Sequence, residues 1–64
     1  MREAWTGEVV GRMHVAGITN VDLAKEMCCT KSYVSMILNG NRKPAGAQER
    51  IEAALERCIE QRSA

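Results

Sequence analysis

The stretch Gly17–Pro44, GITNVDLAKEMCCTKSYVSMILNGNRKP, reads as two short helices with their punctuation in place. Thr19 can cap the first, Asp22 three positions later completes a capping box, and Ile18 can pack on Leu23 as a hydrophobic staple. Leu23, Ala24 and Met27 supply its inward face, which ends near Met27 or Cys28. Thr30 is the next cap. It places Lys31, Ser32 and Tyr33 in the first turn of a helix running to Leu38, where Asn39-Gly40 stops it. Val34 and Ile37, three apart, form the buried stripe, which Leu38 can join. Lys31, Ser32, Ser35 and Met36 mostly fall outside that stripe and are available for other work.

Working outward, Trp5, Val9, Met13 and Ala16 recur at helical spacing before Gly17, so a helix is expected over about Thr6–Ala16. Gly7 and Gly11 lower its propensity, and tertiary packing must hold it. Glu8 and Arg12 are correctly spaced to attract one another. Gly11 either permits the close approach of another helix or is merely tolerated. After Pro44 and Gly46, the residues Ile51, Ala54, Leu55, Cys58 and Ile59 repeat at three and four positions, which predicts a terminal helix over about Ala47–Gln61. No alternating run and no internal repeat is present. The expected fold is all-α: one domain over residues 1–64, a compact bundle of about four helices. It contains two short helices joined by a turn at about 19–40 and a longer C-terminal helix at about 47–61.

A chain of 64 residues hides only roughly 60% of its unfolded surface, so the core is small. Arg2, Glu3, Glu8 and Arg12 interrupt the beginning, and no window is apolar enough for a membrane span or signal peptide. A cytoplasmic setting is the default expectation. Cys28, Cys29 and Cys58 are odd in number and two are adjacent, which argues for reduced thiols rather than disulfides. Their spacing with His14, the single histidine, lacks the paired form of a zinc site. No phosphate-cradling glycine motif or nucleophile arrangement appears, so neither a cofactor nor an enzymatic activity is expected. The net charge of +1 conceals an uneven distribution. Lys31, Arg42 and Lys43 share a span, 31–45, with no acid, whereas the flanks mix both signs. A local positive field of this kind can steer a polyanion.

The segment Gly17–Pro44 resembles the helix-turn-helix family of phage Cro and repressor proteins, the Cro/C1-type or XRE family. Ala24 matches the small residue that lets the motif's helices pack, Val34 and Ile37 match its apolar anchors, and Asn39-Gly40 matches its exit. Cys28 stands where the family usually has glycine, and left-handed dihedral angles there would strain the turn. Leu38 replaces a residue that is frequently polar, and one terminal helix replaces the usual short pair.

The resemblance implies that the second motif helix enters the DNA major groove. Lys31 and Ser32 match positions that commonly face bases, and Ser35 and Met36 extend that surface by one turn. Lysine can donate to guanine O6 or N7, serine can donate or accept, and Met36 can touch a thymine methyl. Backbone contacts are expected from Asn20, Thr30, the Tyr33 hydroxyl, Asn39, Asn41, Arg42 and Lys43. The partner is double-stranded DNA, read by a homodimer whose candidate interface is Leu38, Leu55, Cys58 and Ile59. The same residues can instead complete a monomer's core. The expected function is a sequence-specific transcriptional regulator, a small phage-like or mobile-element repressor. The alternative is a protein-interaction or antitoxin-like helical module that does not read DNA by itself. RNA is a weaker partner because Trp5 and Tyr33 are the only aromatics available for stacking.

Overall fold

The helices of this protein are stopped by one repeated device. In the computed structural model, which describes residues 4–63, the elements are α1 (Ala4–Ala16), α2 (Asn20–Met27), α3 (Lys31–Leu38) and α4 (Ala47–Ser63). Each of the first three closes on a left-handed residue whose N–H bonds to the carbonyl three positions back. The next N–H bonds to the carbonyl five back. For α1 these bonds are Gly17 to His14 at 3.3 Å and Ile18 to Met13 at 2.9 Å; for α3 they are Gly40 to Ile37 at 3.1 Å and Asn41 to Met36 at 2.9 Å. For α2 they are Cys28 to Lys25 at 3.3 Å and Cys29 to Ala24 at 3.0 Å.

Gly17 and Gly40 adopt positive φ without strain, at 71° and 81°. Cys28 adopts φ 57° and ψ 43°, the same left-handed region, with a Cβ that crowds the following carbonyl. The turn therefore takes the shape that glycine would favour, and the side chain is tolerated at a cost. Cys28→Gly should raise stability by about 0.5–1 kcal/mol, the relieved crowding being partly offset by a more flexible unfolded chain. A thermal melt rising by about 2–8 °C is the expected readout.

The starts are equally local. Thr19 Oγ1 accepts from the Asp22 N–H at 3.3 Å while the Asp22 carboxylate accepts from the Thr19 N–H at 2.9 Å, completing the capping box. Ile18 and Leu23 are both buried beside it, as the staple requires. At α3, Thr30 Oγ1 accepts from the Tyr33 N–H at 3.1 Å. The backbone bond from Thr19 holds the Asp22 carboxyl below its ordinary value of 3.8, helped by Thr19's hydroxyl and by Arg62. A depressed acid stabilises the fold above its unfolded pKa, and that contribution drains away as pH falls through the lowered value. Asp22→Asn should therefore be less stable at neutral pH and should lose less on acidification, as followed by denaturant titrations from pH 6 downwards.

The core sits where α4 lies across α1 and α2. Val9 and Met13 from α1, Leu23 from α2, and Val34, Ile37 and Leu38 from α3 meet Ile51 and Leu55 from α4. This arrangement corrects the expected dimer surface. Leu38, Leu55 and Cys58 are buried within the single chain, and Ile59 alone of that set keeps part of its surface. The physical reason is size: without the α4 stripe, three short helices would have nothing to pack on. Ion pairs then fasten α4 along its length, Arg12 to Glu56 at 3.2 Å, Arg57 to Glu26 at 2.6 Å and Arg62 to Asp22 at 3.2 Å. Their arginines are about half exposed, so each such pair contributes little by itself.

Other local differences are small. α1 begins at Ala4 rather than Thr6, and α4 continues to Ser63 rather than Gln61. Arg12 reaches across to Glu56 rather than along its own helix. A Cβ built at Gly11 meets nothing within 4 Å, so no described residue packs closely against that position. Arg2 and Glu3 lie outside the described residues. Among the described residues there is no strand and no helix long and apolar enough to cross a membrane.

Candidate nucleic-acid interface

Because Val34, Ile37 and Leu38 are turned into the core, the geometry of an α-helix leaves Ser32, Ser35, Met36 and Asn39 on the opposite side. Lys31 and Ser32 are exposed in the first turn, Ser35 and Met36 are half-buried, and Asn39 is exposed at the exit. Of the expected base-reading residues, Lys31, Ser32, Ser35 and Met36 therefore share one helix, with the most open pair at its N-terminal end. That end also carries the positive pole of the helix dipole, favourable beside phosphates. Tyr33 is half-buried and packs against the core, which leaves only part of its side chain for solvent.

The segment after α3 is not a loose tail. The Met36 carbonyl accepts from the N–H groups of Asn41 at 2.9 Å and Arg42 at 3.2 Å. This tie folds the basic exit back against the recognition surface. Asn41, Arg42 and Lys43 are all exposed there, and Arg42, Lys43 and Pro44 line a groove floored by Trp5 and Ile37. Trp5 thus lies beside the basic segment, a placement that its spacing to Val9 did not reveal. Its signal in the sequence was burial alone.

The remaining expected contacts flank this surface. Asn20 is the first residue of α2 and half-buried, and Thr30 is exposed while its hydroxyl caps α3. A groove lined by Asn20, Ser35 and Asn39 joins the start of α2 to α3. Within it the Asn39 amide donates to Ser35 Oγ at 3.3 Å.

Electrostatics separates this side from the rest of the domain. Arg12, Arg57 and Arg62 are each held by a carboxylate on the α4 side. Lys31 and Arg42 have no such pair among the described residues, and their span contains no acid. A domain of near-neutral total charge thereby presents one cationic edge. Cys58 stands apart from that edge: burial, then the nearby Glu26 and Asp22, push its thiol up, and its Sγ donates to the Asp22 carbonyl at 3.7 Å. No group of three or more metal-ligating side chains occurs among the described residues.

Residues 16–48 match the helix-turn-helix family model. The chain belongs to the Cro/C1-type helix-turn-helix family. The matched span begins at the stop of α1 and runs through α2, α3 and the basic segment into α4, so the candidate interface of this helix-turn-helix protein lies inside the matched region. It is a DNA-binding regulator of the XRE type. No curated protein and no solved structure matches the chain.

Proposed function

We propose that this helix-turn-helix protein is a sequence-specific repressor of phage-like or mobile-element type that reads double-stranded DNA with α3. One observation carries the reading: the face of α3 opposite Val34, Ile37 and Leu38 presents Ser32, Ser35 and Met36, with Lys31 exposed at the helix's N-terminal end, beside an acid-free basic segment. Lys31 donates to guanine O6 or N7, Ser32 and Ser35 bond to base edges, and Met36 lies on a thymine methyl. Arg42 and Lys43 hold phosphates, with Asn20, Thr30, Tyr33, Asn39 and Asn41 as further backbone contacts. Repression follows from occupying an operator, without a chemical step. The protein works in the cytoplasm of a bacterial cell or phage-infected host, on its nucleoid.

A single module offers a small interface, so the proposal includes a homodimer reading half-sites roughly 34 Å apart. With Leu38, Leu55 and Cys58 enclosed, the surface that favours a second copy is the α1–α4 patch of Val15, Ala16 and Ile59, where Val15 is 91% exposed. Selection of a random duplex library by the folded protein is the deciding experiment. Enrichment of a two-fold site is expected, and failure to enrich any duplex would sink the proposal. The Val15 patch also favours the second reading, a protein-interaction or antitoxin-like module. A stable hetero-complex without duplex enrichment would select that reading.

A further inference from the structure

Ser35 is chemically ambiguous as a reader, since a hydroxyl can donate one proton or accept through its lone pairs. In this structure the ambiguity is reduced by its neighbour one turn on. The Asn39 amide Nδ2 donates to Ser35 Oγ at 3.3 Å, both residues standing on the outward side of α3. Asn39 is itself held in place, because its backbone N–H bonds to the Ser35 carbonyl at 2.9 Å and the chain closes through Gly40 and Asn41 immediately after it. With one lone pair of Oγ occupied by the amide, Ser35 keeps its proton and one further lone pair, and accepting from the amide strengthens the hydroxyl as a donor.

Building on the DNA reading above, we infer that Asn39 is a positioning residue that biases Ser35 towards donating, directing it to a base edge rich in acceptors. Guanine presents two acceptors in the major groove, O6 and N7, whereas cytosine presents the N4 amino donor. The base pair facing Ser35 is therefore favoured as G·C in one orientation over the other. Asn39 acts through the polarity of a neighbouring hydroxyl, without needing to touch the base.

The test is library selection with the wild type and with Ser35→Ala, Asn39→Leu and Asn39→Asp, each first shown to be folded by circular dichroism. The position governed by Ser35 is the one whose preference Ser35→Ala erases, and the wild type should favour guanine over cytosine there by roughly fivefold, about 1 kcal/mol. Asn39→Leu removes the amide donor and should flatten that preference while leaving the Lys31-dependent position intact. In Asn39→Asp the carboxylate accepts the Ser35 proton, lone pairs face the groove, and cytosine should overtake guanine at that position. The added negative charge lowers affinity for every site alike, so the ratio between two bases is the readout. A guanine preference that survives both Asn39 variants overturns the inference and leaves the DNA reading standing. Absence of any enriched duplex with the wild type overturns both.

Discussion

Leu55→Ala is expected to bring this domain close to unfolding at ambient temperature, and to do so equally at low and high protein concentration. Leu55 is fully enclosed, 0% exposed, between α4 and the rest of the bundle. Emptying such a site removes the transfer free energy of the lost atoms and leaves a cavity, together costing about 2–5 kcal/mol. A domain of this length has only about 3–10 kcal/mol in hand, and each kcal/mol lost lowers the melting temperature by about 4–8 °C. Denaturant titrations at two concentrations separated a hundredfold check both parts. If Leu55 were instead a contact between copies, the wild type would gain stability from concentration and the substitution would remove that gain, so the measured loss would grow with concentration. That outcome would contradict the single-chain packing described above.

The second large effect concerns recognition. Lys31→Ala should cost about 1–3 kcal/mol against the preferred site, roughly 5- to 150-fold in affinity, and should relax selection at one base position. Lys31 is exposed in the first turn of α3, where side chains of this motif reach base edges. Arg42→Ala should behave differently. Its side chain is on the segment tied back to the Met36 carbonyl, suited to phosphate rather than to a base. Binding to all duplexes should weaken similarly, and the slope of log affinity against log salt should fall in magnitude by about 1. Fluorescence anisotropy on the selected site and on a scrambled duplex, over a salt series, separates the two behaviours. A uniform loss across sequences for Lys31→Ala would remove it from the base-reading set.

Correspondence between sequence and structure follows from the range of the interactions concerned. The caps at Thr19 and Thr30 were legible because a cap is a bond between residues three apart, and the stops at Gly17 and Gly40 because only the backbone conformation of a single residue is at stake. The outward placement of Ser32 followed from the Val34–Ile37 stripe, since the pitch of a helix fixes what lies opposite, and that of Lys31 from its place in the first turn after the Thr30 cap. The Ser35–Asn39 bond has a signal in two polar residues four apart at the end of one helix. Left-handed geometry at Cys28 had none in the residue type itself, because cysteine is no turn former. Only the likeness of its position to a family glycine pointed there.

What the sequence by itself determined is thus the helices, their ends and the polarity of α3, all set by neighbours within about one turn. What only the tertiary structure decided is where the apolar stripes go. Periodicity at three and four positions states that the face of α4 is buried and says nothing about what buries it. Leu55 and Cys58 could as well have met a second copy. They meet α1 and α2 because so short a chain has no other surface large enough to close its core. The same enclosure turns Arg12, Arg57 and Arg62 onto carboxylates and leaves Lys31 and Arg42 at the cationic edge.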